Sequence, residues 1–352
     1  MDTPNESFSA FTPRRPAKHL FDLPLEILFM IALLLNIVDL GELRCVSKAF
    51  GWVDKFLFRS IYIPMSGDLV EKVQRFMERR VHASTIRTLT FQTPIALSGL
   101  KNVNTWSILK NTVAVFMSRG DVVNIQTIKM SISSTDLIPI LNTFGKCGVT
   151  TIKALDLRNF NELRGQYNQH RAKLPKVLAG IEKIHMSMNC DAGLHFLKDP
   201  LAAHCKNLRT LHISTDRVQP PRFARLFDLS LLRFVHLRAL VLSDMVLNWD
   251  SFARAPFSNG TALESLKLQG IFLEPTDRRR YQVDFMPNFW PNLWIYDGWE
   301  DVVRKLITTF ENTKTQVEIR QPYAAIYHDN GDFVWGRVKG LQSSSGVVKI
   351  ID

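Results

Sequence analysis

The 352-residue sequence has little cysteine and no long apolar run, which argues against zinc-binding domains and against membrane-spanning helices. Its four cysteines form no CxxC pair and have no histidine neighbours at zinc-binding spacing, so neither a zinc finger nor a RING domain is expected. Free thiols in a reducing compartment fit this pattern. The most apolar stretch, residues 27–35, is too short to span a bilayer, and residues 1–19 are polar and rich in proline. The sequence therefore predicts a cytoplasmic or nuclear protein with no membrane partner.

Catalytic signatures are missing as well. The sequence contains no glycine-rich nucleotide-binding loop, no HExxH and no GxSxG motif. Its nine histidines do not stand beside a cysteine or a carboxylate at a familiar catalytic spacing. We therefore predict no cofactor, no metal site and no enzymatic activity, although distant residues can assemble an active site that no motif reveals.

Charge is unbalanced in favour of the positive sign. The chain has 44 lysines and arginines against 33 aspartates and glutamates, a formal net charge of +11 at pH 7. Such a surplus suits a nucleic acid, an anionic membrane, or an acidic or phosphorylated protein. Apart from Arg278–Arg280 and Arg14–Arg15 the basic residues are scattered, which is usual for a solvated surface. Nucleic acid is therefore an alternative partner and not the expected one.

Helical patterns follow the first twenty residues. A first helix is expected from Pro24, because proline suits a first turn, where its missing N–H has no partner to lose. This helix is apolar nearly all round, so more than one of its sides must be covered. A second helix is expected from Asp39, with Asp39 and Glu42 capping its start. A third is expected over residues 52–58.

The spacing of residues 20–50 resembles the F-box, a short helical module. The family pattern is LPxEIL, followed by I, L, DL, LR and VSK at fixed offsets. Fourteen residues match it without a gap: Leu23, Pro24, Glu26, Ile27, Leu28, Ile31, Leu35, Asp39, Leu40, Leu43, Arg44, Val46, Ser47 and Lys48. The irregular repeats described below also resemble those of divergent fungal F-box proteins.

F-box proteins dock onto the Skp-type adaptor of a cullin–RING ubiquitin ligase, so the resemblance implies that partner. In the family, the adaptor contacts the Leu-Pro start and the apolar residues of the helices. Carried over by position, the implied adaptor-binding residues are Leu23, Pro24, Ile27, Leu28, Ile31, Leu40, Leu43 and Val46. Periodicity alone leaves open an ordinary buried helical hairpin that has no partner.

A second pattern, of the form L-x-x-L-x-L, recurs along the chain. Seven copies begin at residues 86, 125, 152, 181, 208, 237 and 263, and the last five intervals are 26 to 29 residues. This period is similar to that of leucine-rich repeats, in which each unit is a strand and an outer helix. The asparagine that usually follows the motif occurs once, as Asn189. We therefore predict an irregular solenoid with parallel strands, with an ordinary α/β domain as the alternative.

Alternation along such strands places every second residue on the concave surface. That set is polar and mildly basic, which suits an acidic or phosphorylated protein target; a solvated face with no ligand is the alternative. An aromatic cluster over residues 285–299 either anchors a target or caps the solenoid. The candidate target-binding residues are Lys129, Arg158, Lys183, His185, His212, Lys267, Trp290 and Trp294.

The patterns together predict an α/β chain with four parts. These are a disordered tail over 1–17, a three-helix F-box over 18–62, an irregular leucine-rich-repeat-like solenoid over 63–314 with a capping helix at 301–310, and a strand or hairpin tail over 315–352 that turns at Asn330-Gly331. The resemblance implies the non-catalytic substrate-recognition subunit of a Skp–cullin–F-box ubiquitin ligase. An F-box scaffold without a role in degradation and a basic repeat protein that binds nucleic acid are the alternatives.

Overall fold

The structure, a computed structural model, describes most of the repeated strands and the N-terminal helices. The described residues are 23–46, 48–64, 85–92, 124–133, 137, 141, 144–145, 151–161, 175–188, 205–215, 236–248, 262–274, 293–295, 298–328, 333–339 and 341–351. The chain divides into two compact units, Met1–Phe58 and Arg59–Asp352. The predicted tail and most of the helices expected between strands lie outside the described residues, and the predicted domain boundaries stay predictions.

The first unit is helical. Its elements are α1 (Leu25–Leu34), α2 (Ile37–Val46), a 3-10 helix (Lys48–Val53) and α3 (Asp54–Leu57). A small core is formed by Ala32, Leu40, Phe50 and Val53. Among the described residues of the unit, this core holds four buried residues, and much of the apolar surface of α1 and α2 lies outside it.

The second helix begins two residues earlier than predicted. Oδ1 of Asn36 accepts hydrogen bonds from the backbone N–H groups of Val38, at 2.8 Å, and Asp39, at 2.9 Å. These are the second and third residues of α2, so Asn36 is the N-cap and the predicted start at Asp39 is wrong. The third predicted helix is also divided, since its first part belongs to the 3-10 helix and only residues 54–57 are α-helical.

The second unit is built from strands. In chain order these are β1 (Ser60–Pro64), β2 (Thr88–Gln92), β3 (Thr127–Ser133), β4 (Ala154–Asn161), β5 (Lys183–Met188), β6 (Thr210–Thr215), β7 (Ala239–Ser243), β8 (Val246–Asn248), β9 (Ser265–Gln269), β10 (Phe272–Glu274), β11 (Leu293–Ile295), β12 (Gln316–Arg320), β13 (Tyr323–His328), β14 (Phe333–Arg337) and β15 (Val348–Ile351). The described helices of this unit are α4 (Pro175–Leu178) and α5 (Trp299–Phe310).

Ten strands form one parallel sheet in the order β1-β2-β3-β4-β5-β6-β7-β9-β12-β15. All seven sequence motifs lie on it, as β2 to β7 and β9, and they pair in the register that the motif predicts: Leu89 lies opposite Ile128, and Ile128 opposite Leu155. The prediction of stacked parallel strands is confirmed. Residues 315–352 supply two further strands of the sheet, β12 and β15, in addition to the β13–β14 hairpin.

Alternating residues separate the two faces of this sheet. In β6, Leu211 and Ile213 are buried, whereas Thr210 and His212 are half-buried on the other face. The same alternation runs through β5, β7 and β9. Stacking the buried positions of successive strands makes one continuous apolar core, which is how a repeat protein gains stability that a single repeat lacks.

Corners at the ends of three strands carry the chain from the large sheet into a smaller one. Asp244, Gly270 and Gln321 follow β7, β9 and β12, and each has a positive φ, of 57°, 59° and 50°. Backbone bonds link these corners: Gly270 N–H donates to the carbonyl of Arg320 at 2.9 Å. The strands that follow the corners, β8, β10 and β13, pair in parallel to form the second sheet.

Helix α5 covers part of the core. Trp299, Val302, Val303, Leu306 and Phe310 are buried, which is the spacing of one helical face. The indole N–H of Trp299 donates to the carbonyl of Tyr323 at 2.9 Å, so the helix start is tied to β13. A helix near the predicted position is confirmed. The β13–β14 hairpin is antiparallel as predicted, while its turn lies outside the described residues.

Candidate protein-interaction surfaces

Helix α1 has two apolar faces, and the unit's own core uses one of them. Leu28 and Ala32 are buried and Leu35 packs against the core, which is an i, i+4, i+7 row. On the other face, Ile27 is 41%, Met30 62% and Leu34 88% exposed. Those three residues follow an i, i+3, i+7 row, so they form a second apolar stripe.

Other apolar residues of the two helices are exposed as well. Leu33 is 65% exposed, and Val38 and Val46 on α2 are 64% and 76% exposed. Single exposed apolar residues are common on protein surfaces, but contiguous patches of this kind mark interaction sites. We call the exposed residues Ile27, Met30, Leu33, Leu34 and Val38 the α1 patch.

The structure divides the predicted adaptor-binding residues into accessible and buried groups. Leu23, Pro24, Ile27 and Val46 are exposed, while Ile31 and Leu43 are half-buried. Leu28 and Leu40 are buried, at 6% and 5% exposure, and Leu40 belongs to the core of the unit. The first group can meet a partner directly, whereas Leu28 and Leu40 shape the surface from below.

Sequence reasoning did not single out Met30, Leu33, Leu34 and Val38. The sequence does show that α1 has no polar face. This predicts a second face that must be covered, but it does not identify the residues of that face. To identify these residues one must know which face of α1 is turned inward, and the buried Leu28 and Ala32 mark that face.

Aromatic and ionic contacts hold the remainder of the unit together. The ring of Phe29 packs edge-on against Phe56, with centroids 5.3 Å apart, and lies 6.0 Å from Trp52. Nε of Arg44 donates to Oδ1 of Asp54 at 2.8 Å, which joins α2 to α3. Phe29 is four residues before Leu33 on α1, so this aromatic group lies beside the α1 patch.

In the second unit, the exposed face of the large sheet carries two groups of charged side chains. The first is centred on Asp156 of β4, whose carboxylate lies 3.5 Å from the Arg158 guanidinium, 3.2 Å from Nδ1 of His185 and 4.0 Å from Nζ of Lys129. Asp156 is buried although it lies in the exposed row. We call Lys129, Asp156 and Arg158 the first charge cluster.

The surroundings of Asp156 keep it ionised. The contact with His185 is the largest influence and lowers the pKa of the carboxyl group; burial opposes it, and the Arg158 charge lowers the pKa further. Because its pKa lies below the usual range, this carboxylate is negative at physiological pH and attracts the cations above it. The pairing of β4 with β5 shifts between Leu157 and Phe160, and such irregularities redirect neighbouring side chains such as Arg158.

The second group is centred on Glu318 of β12. Its carboxylate is 3.3 Å from Nζ of Lys267, on the adjacent strand β9, and also accepts a hydrogen bond from Nε of Arg320. Burial opposes ionisation of Glu318, but the hydrogen bonds from Arg320 and Lys267 outweigh it and hold its pKa below the ordinary value. We call Lys267, Glu318 and Arg320 the second charge cluster.

Two stacked histidines lie beside the first charge cluster. The rings of His185 and His212 are 4.2 Å apart with an interplanar angle of 13°, and Nε2 of His212 is 3.2 Å from the Ser243 hydroxyl. Burial, together with the His185 charge, lowers the pKa of His212 to about 4. His212 is therefore neutral at physiological pH.

The structure brings together four of the eight predicted target-binding residues and places a fifth in the other charge cluster. Lys129, Arg158, His185 and His212 meet around Asp156 and the histidine stack, and Lys267 lies in the second charge cluster. Lys183 is exposed at the start of β5, in the row before His185. Trp294 lies on β11, in the smaller sheet, and Trp290 is outside the described residues.

The described part of the chain has neither a cluster of metal-binding side chains nor a membrane-spanning helix. Among those residues, no group of three or more His, Cys, Asp or Glu side chains is placed to hold a metal ion. None of the helices there has the length and apolarity needed to cross a membrane.

Comparison with known proteins identifies the first unit. Residues 20–51 match the family model of the F-box domain. The chain therefore carries an F-box domain, followed by a leucine-rich-repeat-like solenoid of parallel strands, and the prediction of that combination is confirmed. No curated protein matches the sequence. Among solved structures, the chain is similar to one in the crystal structure of the Rad7 and Elc1 complex in yeast, at 14% identity and a TM-score of 0.34, with 85% of this chain and 77% of that chain covered.

Proposed function

We propose that this protein is the substrate-recognition subunit of a Skp–cullin–F-box ubiquitin ligase. The F-box domain binds a Skp-type adaptor, and the solenoid binds a protein target. The observation that carries the proposal is the coincidence of the F-box match at residues 20–51 with the α1 patch, an apolar surface that the domain's own core leaves uncovered.

Burial of the α1 patch supplies the binding energy for the adaptor. Fully burying an exposed Leu, Ile or Met side chain contributes about 1.5–3 kcal/mol. Met30, Leu33 and Leu34 are all more than half exposed, so a partner that covers them gains most of that amount from each. Polar substitutions in the patch are therefore expected to remove binding without disturbing the folded domain.

The solenoid contributes to the reaction by proximity alone. A target held on the exposed sheet face lies near the ubiquitin-carrying enzyme that the cullin recruits, which raises the effective concentration of its lysines. The chain needs no cofactor for this role. An F-box scaffold without a role in degradation differs only in the fate of the bound protein.

The test is co-expression of the full chain with a Skp-type adaptor, followed by size-exclusion chromatography. The wild type is expected to elute as a one-to-one complex, and a Met30→Asp, Leu34→Asp variant is expected to lose it. Tyr62, which is 56% exposed on β1, provides the matched control as Tyr62→Asp. Circular dichroism checks that all three chains are folded.

Two results would overturn the proposal. One is a wild-type chain that forms no complex, and the other is a folded patch variant that still forms it. To separate a receptor from a scaffold, the abundance of proteins bound by the solenoid is compared in cells that express the wild type or the patch variant. A receptor lowers the abundance of its target only when the patch is intact.

A further inference from the structure

We infer that the exposed face of the large sheet binds an extended, carboxylate-rich segment of the target protein, with one acidic group at each of the two charge clusters. This inference rests on the proposed function and names the class of target that the solenoid takes. It is argued from the six residues of the clusters: Lys129, Asp156, Arg158, Lys267, Glu318 and Arg320.

Each cluster has one more positive than negative charge. Lys129 and Arg158 face a single carboxylate, that of Asp156, and Lys267 and Arg320 share that of Glu318. An arginine has five N–H donors and a lysine three, so one shared carboxylate leaves donors available in each cluster. A surplus of one charge suits a singly charged carboxylate better than a doubly charged phosphate.

The cations are both accessible and fixed. The side chains of Arg158 and Lys129 are 63% and 43% exposed, and those of Lys267 and Arg320 are each 49% exposed. The carboxylates beneath them are much less exposed, at 13% for Asp156 and 20% for Glu318. Asp156 thus acts as a positioning residue for Arg158, with Lys129 at the 4.0 Å limit of an ion pair, and Glu318 positions Lys267 and Arg320 toward solvent; this reduces the side-chain entropy lost when a ligand binds.

The distance between the clusters sets the spacing of the acidic groups. Arg158 on β4 and Lys267 on β9 are separated by four strand-to-strand steps, through β5, β6 and β7, or about 19 Å at ~4.8 Å a step. An extended chain advances ~3.3 Å per residue, so about six residues span this distance. Ser214 and Ser243 pair in the row at the carboxyl ends of β6 and β7, where their small side chains leave room for a peptide backbone beside the row that holds His185, His212 and Val241.

Fluorescence anisotropy on the purified full chain tests the inference. The probe is a labelled peptide with two single glutamates about six residues apart in a Gly and Ser background. A peptide of the same composition with the two glutamates adjacent is the comparison. In about 0.15 M salt, where distant charges are screened, the spaced peptide is expected to bind about fivefold more tightly.

Variants connect the binding to the clusters. Arg158→Gln and Lys267→Gln are each expected to weaken the spaced peptide about five- to tenfold and to remove the preference for spacing, because each deletes one charge-assisted contact. Arg304 provides the matched control, since its side chain is 72% exposed on α5 and pairs with Asp301 away from the sheet face. Arg304→Gln is expected to bind like the wild type.

Several results would overturn the inference. They are equal affinity for the two peptides, equal loss in the Arg304→Gln control, and tighter binding of a spaced phosphoserine peptide or of single-stranded RNA than of the glutamate peptide. Adaptor capture is measured on the same preparation. A chain that captures the adaptor but shows no spacing preference refutes this inference alone, whereas failure to capture the adaptor refutes the proposed function.

Discussion

The imidazole rings of His185 and His212 stack face to face, 4.2 Å apart, on adjacent strands of the parallel sheet. They stack because β5 and β6 pair in a register that places the two residues directly opposite each other. Their other contacts differ. His185 meets the carboxylate of Asp156, whereas His212 lies against the hydroxyl of Ser243.

Burial of His212 makes stability depend on pH in mildly acidic solution. The pKa of His212 falls from 6.5 to about 4 on folding, so the unfolded chain binds more protons than the folded one between these values. The free energy of unfolding is therefore highest above pH 6.5 and decreases as pH falls toward 4. Because the half-buried ring is partly screened by solvent, we expect the free energy of unfolding to fall by about 1–2 kcal/mol over this pH range.

Urea unfolding at several pH values between 7 and about 4.5 measures this effect, above the range in which Asp156 is protonated. His212→Gln should flatten the dependence. His236 is an exposed histidine in the turn before β7, and His236→Gln should leave the dependence unchanged. A slope that survives in His212→Gln would assign the effect to other groups.

Asp156 should contribute far more stability than a surface carboxylate with a similar partner. Asp156→Asn keeps the shape but removes the charge on which Arg158 and His185 depend, so it should lower the free energy of unfolding by about 1–2 kcal/mol. Glu264 pairs with Arg238 at 3.3 Å, and both side chains are more than half exposed. Glu264→Gln should therefore change stability by less than about 0.5 kcal/mol. Equal effects in thermal unfolding would mean that burial of Asp156 has no energetic role.

The sequence predicts the strands of the solenoid better than it predicts which distant strands lie side by side. A motif in which Leu211 and Ile213 alternate with polar residues determines strand, register and buried face together, because all three follow from the two-residue period. The charge clusters depend on pairings between strands far apart in the chain. Lys267 and Glu318 are 51 residues apart and meet only because β12 lies beside β9. No spacing rule within one repeat predicts such a contact.

The corners between the two sheets contain the residues with positive φ in the described part of the chain. Gly270 has a φ of 59°, a conformation that costs a residue with a Cβ about 1–2 kcal/mol. Gly270→Ala should therefore destabilise the protein by about that amount. At the equivalent corner after β12, Gln321 has a φ of 50°, and Gln321→Gly should raise stability by up to about 1 kcal/mol after the added freedom of the unfolded chain is allowed for.

Chemical denaturation of both corner variants checks these opposite signs. Gly346→Ala is the control, because nothing lies within 4 Å of an added Cβ there. It should be close to neutral. If Gly270→Ala is also neutral, the corner can adopt another conformation and the three corner residues are not equivalent.

The start of α2 provides a direct comparison between the predicted cap and the observed one. Asn36 accepts hydrogen bonds from the second and third N–H groups of the helix, so Asn36→Ala should lower stability by about 1 kcal/mol. The sequence favoured Asp39 because Glu42 follows it at capping-box spacing, but Asp39 lies inside the helix and donates its N–H to Asn36. Asp39→Ala should therefore lower stability less than Asn36→Ala does. It removes only the favourable interaction of the Asp39 charge with the helix dipole, about 0.3–1 kcal/mol. Thermal unfolding of the two variants in low and high salt separates the contributions, because salt screens the dipole interaction and leaves the cap intact. The reverse order of the two losses would restore Asp39 as the capping residue.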